Sequence, residues 1–340
     1  MKLSHIENLS GNPQWQERIV DANLFFHKNI KSFCEDEGHK VIYVYSDSYI
    51  MPVSITKRTI FKYASFLSEP FNYSHIGDDI AAYLKAVCDY VKDVFRVQWI
   101  SETPGYALFP ASPQNALSIP FGSHIVDLNQ DQETLWSNVH SKHRNVIKKA
   151  EKEGVVIEKG TNDKLLQDYH KVDIETWERS NVMANGLDHL SKLVKELKDN
   201  IVFYVAYKDD EPQAGAIFYY NQEMCYYMHG ASRNHSFTGS SNFLHWTAML
   251  DMKAAAVRKY SFVGARINED PDSKYHGIQR FKERFGGELF VGRKFKVITS
   301  PVMYHLYVFL ISIKQSIHNR RLSWFHDAID DELPKWKDEK

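Results

Sequence analysis

The stretch from Ile201 to Gly230 limits the fold of this chain more than any other. Three apolar segments, near 201–208, 212–220 and 223–230, are separated only by "KDDEP" and "NQE". Connections that short are tight turns between antiparallel neighbours, because parallel strands need a long crossover. The three strands therefore read as an antiparallel meander. Around it the periodicity predicts a helix at 131–153, a strand at 154–159 and helices near 162–179 and 187–199. After it come a helix at 240–258, a strand at 260–266, a helix at about 273–285 and a strand near 288–298.

The first part of the chain offers a helix near 14–35, strands near 40–46 and 50–60, a long helix near 76–95, and strands near 96–101 and 122–127. Both parts mix helices with strands, so the fold class is α/β (α+β mixed). No repeat, low-complexity tract or Gly/Ser linker marks a boundary. The order of elements places domains at 1–130 and 131–300, with an apolar helix and charged tail at 301–340 packing back on the first domain.

With 340 residues, 43% of them hydrophobic, the chain can fill a full core, and its net charge of -1 excludes a global polyanion binder. Contact with phosphate, RNA or an anionic carrier must use a local basic surface. Cys34, Cys88 and Cys225 are odd in number and lack metal-ligand spacing, which fits buried thiols in a reducing compartment. The N-terminal segment has no apolar run of signal-peptide length, so a cytoplasmic location is expected. The segment "VMYHLYVFLISI", 302–313, is strongly apolar but too short to span a bilayer. A buried core helix is its first reading; contact with a membrane, helped by Arg320 and Arg321, is the second.

The helix at 131–153 has two faces. Leu135, Trp136, Val139, Val146, Ile147 and Ala150 share one arc, while Lys142, Arg144, Lys148, Lys149 and Lys152 fill the other. The basic face is either solvated or a platform for phosphates. Gly239, Ser240 and Ser241 precede the helix at 240–258, where a serine caps the helix or the backbone N–H groups meet an anion. Arg233 and His235 lie just upstream. Arg266 closes a strand, the place where α/β sheets put ligand-binding groups, in a loop that also holds Asn268.

In "GIQRFKERFGGELF", Ile278, Phe281 and Phe285 line one helical face, and Lys282 projects only roughly 40° from it. Its ammonium either snorkels to water over Phe281 and Phe285 or stands in a cleft to stabilise charge on a reacting carbonyl. His140 and His143 lack a third ligand, so no metal is expected. Phosphate loops of the NTPase or dinucleotide type and a GxSxG elbow are also missing. Direct transfer between two bound substrates needs none of these.

The segments "LWSNVHSKHRNVIKKAEKEGVVIEKG", "FYVAYKDDEPQAGAIFYY", "YYMHGASRN" and "FVGARINEDPDSKYHGIQRFKERFGGEL" together resemble the Fem-type transferases, the peptidoglycan-bridge aminoacyltransferases and their relatives in the GNAT acyltransferase superfamily. The resemblance covers roughly residues 120–300 and is carried most specifically by G-I-x-x-F-K-x-x-F-G-G. It implies two GNAT-like domains, each a mixed, mostly antiparallel sheet flanked by helices. It implies transfer of an acyl or aminoacyl group to an amine of a cell-envelope precursor, peptidoglycan or surface polysaccharide, lipid-linked in known members. The donor is an aminoacyl-tRNA or an acyl-CoA, bound as substrate with no permanent cofactor, and no DNA is involved. Phe281 and Lys282 match the family's channel-lining pair; Arg266, Arg233, Ser240, Ser241, Asn268, Lys148 and Lys149 are the candidate substrate-binding residues. The alternatives are a coenzyme A-dependent N-acetyltransferase, disfavoured by the missing Q/R-x-x-G-x-G/A loop, and a non-catalytic scaffold that binds a polyanion.

Overall fold

The computed structural model describes residues 1–11, 19–72, 79–179, 184–267, 273–319 and 325–337. Contacts divide the chain into two units, Met1–Gly122 with Val291–Lys340, and Ser123–Phe290. The mixed α/β class and the largely antiparallel sheets agree with the sequence reading. Residues 301–340 fall in the first unit with the first 122.

In the first unit, strands β1 (Ser4–Ile6), β2 (His39–Tyr45), β3 (Tyr49–Arg58) and β4 (Phe61–Phe66) form an antiparallel run, with β5 (Phe71–Asn72) also on β3. β6 (Trp99–Ile100) joins β4 in parallel, and the later strand at Glu288–Ile298 pairs with β6. Helix α1 (Lys28–Asp36) starts after a single 3-10 turn at Leu24–Phe26. Here the expected helix at 14–35 is broken: Asn23 caps the 3-10 turn and His27, in extended conformation, caps α1. The expected strand at 50–60 is shorter and turns back into β4, which periodicity alone does not separate. Thr59, with φ of 55°, makes that turn.

Helix α2 (Ile80–Phe95) is capped by Asp79 and lays Tyr83, Leu84, Val87, Cys88 and Val91 on the sheet. Their spacing of three and four residues is one helical face.

The second unit contains the meander. Strand β7 (Leu117–Asp127) leads into helices α3 (Gln132–Asn138) and α4 (Ser141–Lys152). The single helix expected at 131–153 is thus two: Val139 is extended, and the His140 ring caps α4 by accepting from the Lys142 N–H. β8 (Val156–Gly160), helices α5 (Asp163–Arg179) and α6 (Leu187–Leu197), and the strands β9 (Ile201–Lys208), β10 (Glu211–Tyr220) and β11 (Met224–Ser232) follow. Asp209 and Asp210 both have positive φ, as a two-residue hairpin turn requires. Helix α7 (Ser240–Ala254) crosses back, so that β12 (Lys259–Ser261) pairs in parallel with β11. The strand order is β7-β12-β11-β10-β9-β8, with β13 (Ala265–Arg266) also on β7.

Alternation assigns the two faces of this sheet. Tyr204 and Phe218 pack with α7 and α4, whereas Phe203 meets Tyr169 of α5 edge-on at 5.3 Å between ring centres. Gly215 is needed on that side, since a Cβ there would lie 2.6 Å from the Tyr169 ring.

The expected strand at 260–266 is interrupted. Val263 and Gly264 take φ of 36° and 55°, turning the chain between β12 and β13. Helix α8 (Lys274–Glu283) and strand β14 (Glu288–Ile298) follow. Then, in the first unit, come α9 (Pro301–Asn319) and α10 (Ala328–Lys337). The thiols are free; Cys88 and Cys225 are buried as expected, while Cys34 is only half-buried.

Candidate functional site

The parallel register of β11 and β12 runs from Met224 opposite Lys259 to Tyr226 opposite Ser261 and goes no further, although β11 continues to Ser232. β12 ends at that point. Aromatic and imidazole rings pack next to it: His245 of α7 meets Tyr227 at 4.4 Å, Phe262 at 5.3 Å, Phe281 of α8 at 5.6 Å and Phe285, just past the end of α8, at 5.4 Å. His143 of α4 closes the cluster against Phe281 and Phe285. Burial pushes the His245 imidazole down to about 3 and that of His143 to about 4, so both are neutral at physiological pH. The Tyr260 hydroxyl lies 2.6 Å from His245 Nδ1.

Lys282 enters beneath this cluster. Its residue is 8% exposed, and its ammonium donates to the Gly264 carbonyl at 2.7 Å and to the Val263 carbonyl. The snorkelling reading fails: the charge is held by the turn between β12 and β13, not by bulk water. Ile278, expected on the same buried face, is exposed. Burial pushes the Lys282 ammonium down to about 8. The two carbonyl dipoles act in the opposite sense and favour the charged form. An ammonium has three donors, so two bonds leave one N–H.

On the adjacent side of α8, His276, Gln279 and Glu283 line a pocket of about 460 Å³ with His124, Arg266, Ile267, Gly287 and Leu289. Arg266 lies 3.5 Å from the centre of the Tyr275 ring, a stacked cation on an aromatic face. Arg266 follows by two residues Gly264, whose carbonyl Lys282 holds. His124 is buried, and its ring bonds to the Gly287 backbone while Nδ1 has no partner. Burial also lowers the His124 pKa, which keeps the ring in its neutral, proton-accepting form.

The other candidates scatter. Arg233 forms ion pairs with Glu175 and Glu211, each at 3.3 Å, and does not line the Arg266 pocket. Ser240 is buried, its hydroxyl has no partner, and its N–H donates to the Phe237 carbonyl. No serine caps α7: the cap is Gly239, with φ of 93°. A Cβ on Gly239 would lie 2.3 Å from the Val146 carbonyl oxygen, so the start of α7 is pressed against α4. Ser241 is half-buried in the first turn.

Lys148 lies over the Trp136 ring at 5.8 Å and lines a separate groove of about 700 Å³ that also holds Glu133, Glu151 and Asp251. Lys149 is exposed. Arg144 leaves the basic face, since it donates to the Ser137 carbonyl at 2.9 Å and to that of Val139. Asn268 lies outside the described residues. No group of three or more metal-ligating side chains stands together among the described residues.

Residues 137–283 match the acetyltransferase (GNAT) domain family. The chain thus carries a GNAT-type segment within a fold like that of FemX. Its structure is similar to that of FemX, with a TM-score of 0.64 and 14% identity over 90% of this chain and 99% of FemX. It is similar to a tandem GNAT protein from the clavulanic acid biosynthesis pathway, with a TM-score of 0.51 and 10% identity over 87% and 97% of the two chains. It is also similar to the C-terminal domain of a protein designated lysylphosphatidylglycerol synthetase from Agrobacterium fabrum, with a TM-score of 0.51 and 12% identity over 78% and 85%. No curated protein sequence matches the chain. The GNAT segment contains α4, the meander, α7 and all of α8, and therefore both Phe281 and Lys282.

Proposed function

We propose that this protein transfers an acyl or aminoacyl group directly to an amine of a cell-envelope precursor. The observation that carries the reading is the Lys282 ammonium: a buried cation, bonded to carbonyls, with one N–H in hand and Arg266 placed just beyond it. In acyl transfer the amine nitrogen attacks the carbonyl carbon, negative charge gathers on the carbonyl oxygen, and the donor's ester oxygen leaves. A preorganised cationic donor in a dry site lowers the energy of that charge. Arg266 suits a phosphate or carboxylate of the acceptor, because its guanidinium, lying over the Tyr275 ring, can form a bidentate pair with either. His124, neutral and with an unpaired ring nitrogen, is the group we assign to take the proton from the attacking amine.

An aminoacyl ester, as carried by tRNA, fits better than a coenzyme A thioester. The α7 N-terminus, where a pyrophosphate would meet backbone N–H groups, is packed against Val146 at Gly239. The likeness to a domain designated lysylphosphatidylglycerol synthetase supports an aminoacyl group and an envelope acceptor in the same direction.

The test supplies the purified protein with isotope-labelled aminoacyl-tRNAs and acyl-CoAs together with an envelope-precursor extract, and follows each label by mass spectrometry. Label moving from tRNA to a precursor amine supports the reading. Label arriving from coenzyme A instead assigns the acetyltransferase alternative, and no transfer to demonstrably present amines overturns the enzyme.

A further inference from the structure

Helix α9 is apolar on two sides. One side packs: Tyr304 and its neighbours lie against Phe61 and Trp99, and Ser312 is buried. The other side carries Val302, Leu306, Phe309, Leu310, Ile313 and Ile317, between 37% and 76% exposed. Their spacing of four, three, one, three and four residues confines them to an arc of about 100° at 3.6 residues per turn, a straight stripe about 22 Å long at 1.5 Å per residue. Such a continuous apolar face is not the scattered exposure of an ordinary surface. No helix among the described residues is long and apolar enough to cross a membrane, so the stripe is an edge-on surface and not a span.

The charges beside it choose the occupant. Residues 301–319 contain no Asp or Glu. Lys314 and His305 flank the stripe on its two sides, both exposed. The β3–β4 hairpin tip adds Lys57 and Arg58, exposed, with Lys62 half-buried and the exposed Ile60 between them. This tip is joined to α9 by Phe61 and Tyr63, whose rings lie 5.3 and 6.0 Å from that of Tyr307. Asp327 and Asp330, close to Tyr304 on the packed side, are paired with Lys296. A second copy of the chain would set these cations against themselves, whereas an anionic lipid headgroup layer over hydrocarbon complements both the apolar stripe and its charged margin.

We propose that α9 and the β3–β4 tip form a docking face for an anionic membrane surface, with the six apolar side chains dipping among the acyl chains and Lys57, Arg58, Lys62 and Lys314 meeting headgroup phosphates. The inference stands apart from the transferase reading, because binding is measured without turnover.

The full chain is sedimented with vesicles of phosphatidylcholine alone and with vesicles of equal parts phosphatidylcholine and phosphatidylglycerol. Binding is expected to the mixed vesicles, to weaken with added salt, and to fall about fivefold for Arg58→Gln, the equivalent of about 1 kcal/mol per headgroup contact. The double variant Phe309→Ser/Leu310→Ser should lose binding; Val302→Ser/Ile317→Ser, at the most exposed positions, repeats the test if the first pair lowers the melting temperature. Binding to both vesicles alike, or binding to neither, overturns the proposal. Self-association in analytical ultracentrifugation that the serine variants abolish, without vesicle binding, assigns the face to a second copy and overturns it equally.

Discussion

The Lys282 ammonium donates to the Gly264 carbonyl at 2.7 Å, and through that bond helix α8 holds the turn that delivers Arg266 to its pocket. The turn needs holding. Val263 is β-branched yet sits at φ of 36°, a conformation that costs on the order of 1–3 kcal/mol outside glycine. A charged hydrogen bond returns a comparable amount, about 1.5–3 kcal/mol. The clamp and the strain are thus matched in size.

Replacing Lys282 separates clamping from chemistry. Lys282→Met should lower the melting temperature modestly and reduce single-turnover transfer by about 10²-fold or more, the scale of a lost oxyanion donor. Lys282→Arg keeps a cation but cannot place its planar fork on both carbonyls, so it should recover stability more than rate. A Lys282→Met protein with unchanged transfer at saturating substrate would leave Lys282 a positioning residue alone.

The pH profile carries a second signature of the same group. Its folded pKa of about 8 lies below the ordinary 10.5, so the ammonium is lost as pH rises through about 8. Transfer should therefore fall on the basic side near that pH, and the Lys282→Arg variant should show no such limb. Stability moves the other way. Between about 8 and 10.5 the unfolded chain binds the proton that the folded chain has released, so folding gains from this group as pH rises across that window. Urea midpoints at a series of pH values check the sign.

Much of this architecture is legible in the sequence. The meander follows from the short connections between its strands, and α2, α5, α7 and α8 follow from helical spacing. The breaks are not legible, because they depend on side chains acting on backbone: His140 capping α4, and Val263 turning out of β12. Phe281 and Lys282 are visible as neighbours of an apolar face, but the partners of the ammonium are carbonyls, which leave no mark in a sequence. His124 escapes the sequence reading, although it shares strand parity with the buried Val126 and that parity points it inward. His245 escapes it for a related reason: an imidazole among apolar residues reads as filler until Tyr260 is seen 2.6 Å from its ring nitrogen.

Gly239 should tolerate no side chain. Its φ of 93° disfavours any L-residue, and the Val146 carbonyl leaves no room for a Cβ. Gly239→Ala combines a left-handed penalty of about 1–2 kcal/mol with overpacking of about 1–3 kcal/mol. Gly38, at φ of 84° but with nothing within 4 Å of the place a Cβ would take, is the control and should show the first penalty alone. Denaturant titration of both variants measures the difference, and equal losses would mean that α4 yields freely.

Lys296 is the charge on which the packed side of α9 depends. Almost fully buried, it bonds the Tyr304 hydroxyl at 3.0 Å and Asp327 and Asp330 at 2.7 and 2.5 Å. Burial still pushes the Asp327 carboxyl up to about 6, against the pull of the lysine. Between its ordinary 3.8 and about 6, the folded state holds a proton that the unfolded state has lost, so wild-type stability should fall slightly as pH rises across that interval. Lys296→Met leaves two carboxylates facing an apolar side chain and should cost about 3 kcal/mol at neutral pH. With the cation gone, the Asp327 carboxyl should titrate higher still. The variant should then regain stability on acidification from neutral pH, over a wider range than wild type. Urea midpoints between pH 4 and 8 read both effects, and a Lys296→Met protein with wild-type stability throughout would show that the carboxylates escape to water.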